Sequence, residues 1–191
     1  MIYTLTPPYK HLSQMKSSCW PTSIQMVLFR HWIRVEQEQL SYDLWLVIEE
    51  KNKPYYTLPF KVVPDWDPTH WLKFYHFEQE QIINVLKWFW FKPIVIYYSN
   101  FWDFEKVIIE NLSKNNDIVI NFKREWISHN DTTWWHVSLI SSYDSEKKII
   151  TVCDPSTRAP NYWQIDINEL KESMSDKRDK RERWIVIFEK I

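Results

Sequence analysis

The stretch Gln14–Leu28, QMKSSCWPTSIQMVL, puts Cys19 at the head of an apolar run. Ile24, Val27 and Leu28 recur at helical spacing, and Ser17 or Ser18 with Pro21 supplies a start signal. A cysteine in a first helical turn faces unsatisfied backbone N–H groups and the positive end of the helix dipole. Both favour its thiolate. The thiolate, not the thiol, attacks a carbonyl carbon. Gln14, five residues upstream, carries an amide able to donate to a developing oxyanion, with the Cys19 backbone N–H as second donor. One such donor is worth about 2.7–4 kcal/mol in the transition state. Taken alone, Cys19 reads as readily as a small buried hydrophobe.

Two further stretches complete the set. In TTWWHVSLISSYD, His136 opens a strand behind a loop, where an imidazole can reach across a cleft to a cysteine. In VCDPS, Asp154 ends the next strand, 154 − 136 = 18 residues on. A hairpin sets the start of one strand beside the end of the other, so Asp154 can accept from His136 and fix its tautomer. Singly, a strand histidine is structural and Asp-Pro is a turn. The order Cys, His, Asp, each at the end of an element, makes acyl transfer the better reading. Cys153 should point away from Asp154 into the core. His70, His76 and His129 show no ligand spacing to the cysteines, and His11 and His31 read as surface or capping residues. Phe74, Tyr75 and Phe77 read as core or cleft wall. No metal or cofactor is expected, and no phosphate-binding loop is present.

The elements that must position these groups follow from periodicity. Residues 1–16 read as irregular. A helix runs from Pro21 to about His31, and a second covers 36–49 with Leu40, Leu44, Val47 and Ile48 inward. The four prolines of 51–75 read as loop. EQEQIINVLKWF at 78–89 is a helix, PIVIYY at 93–98 a buried strand, DFEKVIIENLSK at 103–114 a helix and DIVINF at 117–122 a strand. HVSLISSY and KKIITVC form a hairpin around DSEK. DINELKESM at 166–174 is a helix capped by Asp166, and WIVIFEK at 184–190 closes the sheet. The expectation is one α+β domain over 1–191.

A net charge of −1 implies no broad attraction to nucleic acid or anionic membrane. The mixed run KRDKRER at 177–183 reads as a solvated loop. No signal peptide or membrane span is seen, so a cytoplasmic location is expected. Two cysteines are too few for a disulfide framework. The composition is otherwise abnormal: there is no glycine, and there are 13 tryptophans. Ordinary usage predicts about 13 glycines in such a chain. Tryptophan also stands where the chain must turn, in DWD at 65–67, in the pair 134–135 and in KWFWFKP at 87–93. Tryptophan and glycine codons differ by one base (UGG or UGA against GGN), and some bacterial lineages read UGA as glycine. With Ala159 the only alanine and Lys, Ile and Asn abundant, the gene reads as AT-rich. The expectation is that most or all of these tryptophans are glycines in the cell.

With Trp20 read as glycine, SSC-Gly-PTSIQMVL resembles the nucleophile helix of the bacteriocin-processing (double-glycine leader) cysteine peptidases, peptidase family C thirty-nine. With Trp135 read as glycine, Gly-HVSLISSYD and ITVCDPS resemble that group's His and Asp strands. Phytochelatin synthase is similar too, in its His-to-Asp spacing, the strand before the His loop and the tail LKESM…RWIVIF. The resemblance runs from about Gln14 to the end. It implies a papain-like fold, with the nucleophile helix packed on a C-terminal antiparallel sheet. It implies Cys19 as nucleophile, His136 as base, Asp154 as orienting residue and Gln14 as oxyanion donor, acting on a peptide or protein without a cofactor. Indoles at 20 and 135 depart from the pattern and would crowd the cleft. Three functions stay open: a cysteine peptidase, a γ-glutamylcysteine transpeptidase like phytochelatin synthase, and a non-catalytic papain-like binding module. Oligomeric state is not readable.

Overall fold

A computed structural model describes residues 1–16, 18–65, 80–123, 135–175 and 182–191. The readings made for Ser17, Trp66, Asp67, His70, Phe74, Tyr75, His76, Phe77, His129, Trp134 and 177–181 fall outside these residues.

Nine strands and five α-helices are described. The strands are β1 (Ile2–Thr4), β2 (Val47–Glu49), β3 (Lys61–Val63), β4 (Phe91–Tyr97), β5 (Asp117–Lys123), β6 (Trp135–Asp144), β7 (Ile149–Cys153), β8 (Tyr162–Asp166) and β9 (Trp184–Lys190). The helices are α1 (Cys19–Arg30), α2 (Gln37–Asp43), α3 (Glu80–Trp88), α4 (Phe104–Ser113) and α5 (Ile167–Ser173). The main sheet runs β4-β9-β5-β6-β7-β8, every pair antiparallel. β6 is long enough to hold two neighbours on one edge: β5 along 135–140 and β1 along 142–144. A register shift between Ile140 and Ser142 marks the change. β2 and β3 form a separate parallel pair.

Burial explains the sheet order. In β5 and β9 almost every residue is buried, as expected of central strands covered on both faces. Ile24, Val27 and Leu28 of α1 meet the sheet through β6, and the core runs on through Ile118, Ile120, Val137 and Leu139. In α4, Phe104, Ile108 and Leu112 are the buried positions, four residues apart. Asp103 caps that helix by accepting from the Lys106 N–H, and Asp166 caps α5 through the N–H groups of Asn168 and Glu169.

The far end of α1 is fixed electrostatically. Arg30 donates to both Asp117 carboxylate oxygens at 3.0 and 3.1 Å, and His31 Nε2 lies 2.7 Å from Asp117 Oδ2. Arg30 and Asp117 are completely enclosed, so each is the other's neutralising partner. This ties the helix to the first residue of β5.

Four helices end in the same way. After α1, Trp32 takes φ 66° while its N–H bonds Phe29 O and the Ile33 N–H bonds Leu28 O. After α2, Trp45 takes φ 61°, with Trp45 N–H on Tyr42 O and Leu46 N–H on Ser41 O. These are Schellman turns, whose left-handed residue is usually glycine or asparagine. After α4 the position is held by Asn115, φ 61°, with Asn115 on Leu112 O and Asn116 on Asn111 O. After α3 it is Trp90, φ 64°, bonded to Lys87 O. Trp32, Trp45 and Trp90 are all strongly exposed. Tryptophan thus holds three of these left-handed turns, where its Cβ costs about 1–2 kcal/mol each and its ring packs against little.

Several expectations need correction. The helix expected over 36–49 stops at Asp43, because Trp45 reverses the chain and the β-branched Val47 and Ile48 pair with β3. All four residues read as inward there are buried. The buried strand expected at 93–98 is β4 at 91–97, half-buried on the sheet edge, which is where its Pro93 is tolerated. Residues 1–16 contain β1, and the segment read as loop from 51 contains a 3-10 turn (Glu50–Tyr55) and β3. β8 was not expected from the pattern. Arg183, read with a solvated run, is buried beside Asn121.

Candidate functional site

Cys19 is the first residue of α1, and Ser18 before it takes the N-cap position. His136 is the second residue of β6, and Asp154 follows the last residue of β7. The β6–β7 hairpin pairs Leu139 with Cys153, which brings the His and Asp ends together. His136 Nε2 donates to Asp154 Oδ1 at 2.7 Å, and both are nearly fully enclosed. With Nε2 engaged, Nδ1 is the ring nitrogen left for a second partner, and Cys19 is close enough for its charge to favour the imidazolium.

Several contacts hold this arrangement. Ser23 Oγ bridges Cys19 O (2.8 Å) and Val137 O (3.3 Å), stitching the first turn of α1 to the His-bearing strand. Phe122 stands edge-on to the His136 ring at 5.6 Å, and Asn121 Nδ2 donates to the His136 carbonyl. Asp154 Oδ1 also accepts from the Ser156 N–H at 2.8 Å, and Oδ2 accepts from Trp163 Nε1 at 3.0 Å. His11 Nε2 donates to the Asp154 carbonyl at 2.9 Å. The Gln14 N–H bonds Pro155 O at 2.8 Å, anchoring Gln14 next to the Asp154 loop. Its amide Oε1 is buried with no hydrogen-bond partner among the described residues.

Electrostatics follow from the geometry. Burial works against an imidazolium at His136, but the Asp154 charge and hydrogen bond, with Cys19, outweigh it and hold the pKa up at about 9. Burial likewise opposes the Asp154 carboxylate, and His136, Ser156 and Trp163 together bring its pKa below the usual range. Burial pushes the Cys153 thiol up to about 11. That side chain lies in the core with its sulfur 3.8 Å from Met26 Sδ, as its alternation with Asp154 predicts.

These directions fix a pH dependence. The ordinary histidine value is 6.5, so the stability from a raised His136 is whole below about pH 6.5 and is lost as pH rises through about 9. The Asp154 contribution is present above the ordinary 3.8 and is lost as pH falls through its lower folded value. The melting temperature of the wild-type chain is therefore expected to decline between about pH 6.5 and 9 more steeply than that of His136→Ala. Differential scanning calorimetry across that range checks it.

Sequence reading named Cys19, His136, Asp154 and Gln14, and the fold gathers all four segments. It missed Ser23, His11, Ser156 and Trp163. Ser23 had a detectable signal, since position i+4 of a helix starting at Cys19 lies on the same face. Among the described residues, no cluster of His, Cys, Asp and Glu could hold a metal ion, and no helix is long and apolar enough to cross a membrane.

Comparison with known proteins bears on the fold. A putative C39-like peptidase from Bacillus anthracis superposes with a TM-score of 0.62, at 13% identity, over 100% of this chain and 98% of that one. A double glycine motif protease from an AMS/PCAT transporter, crystallised with its leader peptide, gives 0.54 at 13% identity over 97% and 96%. The fold is therefore that of the papain-like C39 peptidases, with α1 packed on the antiparallel sheet. No curated protein matches the sequence. The sequence model of the Peptidase_C39 like family matches residues 6–179, and the chain belongs to that family.

Proposed function

We propose that the chain is a cysteine peptidase with Cys19 as nucleophile, His136 as acid and base, Asp154 as orienting residue and Gln14 as oxyanion donor. The observation that carries it is the enclosed His136 Nε2–Asp154 contact of 2.7 Å, with Cys19 at the head of its helix and near enough for its charge to act on the imidazole. The Cys19 thiolate forms an S–C bond to the peptide carbonyl. Gln14 and the Cys19 N–H receive the oxyanion. As the C–N bond breaks, His136 gives its proton to the leaving amine. His136 then takes a proton from water, which attacks the thioester and frees the acid and the thiolate. The leader peptide bound by the double glycine motif protease supports a peptide substrate here.

The first test follows iodoacetamide alkylation of Cys19 against pH, with Cys153 as internal control. Cys19 is expected to react fast near pH 6, and His136→Ala is expected to remove that advantage. Cys153, buried and raised to about 11, is expected to react only on unfolding. Equal rates at the two cysteines in the folded chain would favour a binding module.

We also infer that the tryptophans at the left-handed helix ends, and with them most of the 13, are glycines in the cell. The support is conformational: Trp32, Trp45 and Trp90 sit where a glycine belongs and expose their rings. Mass spectrometry of peptides from the protein made in its own cells reads each position directly. UGG codons, or peptides carrying tryptophan at 32, 45 and 90, would sink the idea.

A further inference from the structure

Serine at a helix N-cap normally turns its hydroxyl inward to accept from the N–H of the second or third helical residue. Ser18 does not: at the start of α1 its backbone sits at φ −108°, ψ 26°, outside the extended range of a capping residue, and it makes no side-chain capping bond. Its Oγ instead lies 2.8 Å from the Tyr56 hydroxyl and 3.2 Å from Lys16 O. Both hydroxyls are within donating reach of Lys16 O, and either can be the donor in the Ser18–Tyr56 pair. The phenol is neutral at working pH, because burial pushes its pKa up to about 12. Its ring is locked by Phe60, 4.7 Å away, in the small cluster with Leu46 and Ile48. Tyr56 thus reaches the nucleophile from a segment outside α1 and the main sheet.

We propose that Tyr56 is a positioning residue that keeps Ser18 from capping α1, so that the helix's N-terminal N–H pole serves the Cys19 thiolate and the oxyanion. This rests on Cys19 being the nucleophile. The physical reason is competition. A capping oxygen would take a donor and neutralise part of the positive pole that the reaction needs. Pro21 sharpens it, since the third helical position offers no N–H and a capping Ser18 would turn to the second. None of Tyr56, Ser18 and Lys16 is a tryptophan, so the arrangement is the same under either reading of the composition.

The test is a double-mutant cycle in the full chain, read by Cys19 alkylation near pH 6. Tyr56→Phe keeps the ring and removes the hydroxyl, freeing Ser18 to cap. Alkylation is expected to slow about 10-fold, the size of one hydrogen bond to a charged group. Tyr56→Phe with Ser18→Ala removes the competing oxygen as well, and is expected to return to within about two-fold of wild type. A merely structural tyrosine would not be rescued by a second deletion. If wild-type Cys19 is fast and His136-dependent but Tyr56→Phe is unchanged, or the double variant stays as slow as Tyr56→Phe, the role of Tyr56 falls alone. If wild-type Cys19 reacts no faster than an ordinary thiol, the nucleophile assignment falls and takes this one with it.

Discussion

His136→Ala is expected to lower kcat for peptide hydrolysis by at least about 10⁴-fold with KM nearly unchanged. The imidazole is the hub of the proposed site: Asp154 holds one nitrogen, the charge of Cys19 acts on the ring, and Phe122 stands edge-on to it. Removing it leaves the thiol without a base and the leaving amine without a proton. The loss should appear in turnover, because the imidazole acts on the bond being broken. Cys19→Ala should match it, and the double variant should be no worse than either single one, because the two groups act as a unit. The measurement is steady-state kinetics on any peptide that the wild-type chain cleaves from a library. The variants' melting curves verify that they are folded. Hydrolysis within ten-fold of wild type in His136→Ala would end the peptidase mechanism as drawn.

Replacing Trp32, Trp45 and Trp90 together by glycine is expected to stabilise the chain by about 3 kcal/mol. The left-handed strain of about 1–2 kcal/mol per site is relieved, less the extra freedom glycine gives the unfolded chain. For a protein of this size that corresponds to a melting temperature about 6–12 °C higher. Trp184→Gly supplies the contrast. Trp184 lies in β9 with extended pairing to Tyr97 and is 1% exposed. Losing it alone is expected to cost about 3–5 kcal/mol through the cavity left behind. Opposite signs at the two kinds of position would show that backbone conformation, not removal of indole as such, governs the gain. Calorimetry of the wild-type chain, the triple variant and Trp184→Gly decides it.

The site was readable where a residue's type and its place at the end of an element coincided. Cys19 before an apolar helix, His136 opening a strand and Asp154 closing the next need no long-range information beyond one hairpin. Ser18 and Tyr56 were not readable as a pair, because they lie 38 residues apart and meet through a proline-rich segment without periodicity. The overrun of α2 has a local cause. Leu40, Leu44, Val47 and Ile48 fit a helical repeat, and Trp45 gives no stop signal. A glycine there would have ended the helix at Leu44, where the chain turns. The same residue that obscures the composition therefore obscured the boundary. β8 escaped because NYWQID lacks clean alternation, and its place is set by the neighbouring β7. The edge position of β4 could have been taken from Pro93, which the apolar run around it outweighed.

The sheet order has a consequence for synthesis. β9 comes last among the strands yet lies between β4 and β5, bonded to both along most of its length. Until the ribosome has released residues 184–190, β4 and β5 each lack the neighbour that β9 supplies among the described residues. The two flanking segments, FKPIVIY and DIVINFK, are rich in β-branched residues and low in charge, the composition that recruits foreign strands. The newborn polypeptide is thus more exposed to aggregation, and more dependent on chaperones, during the interval before β9 arrives.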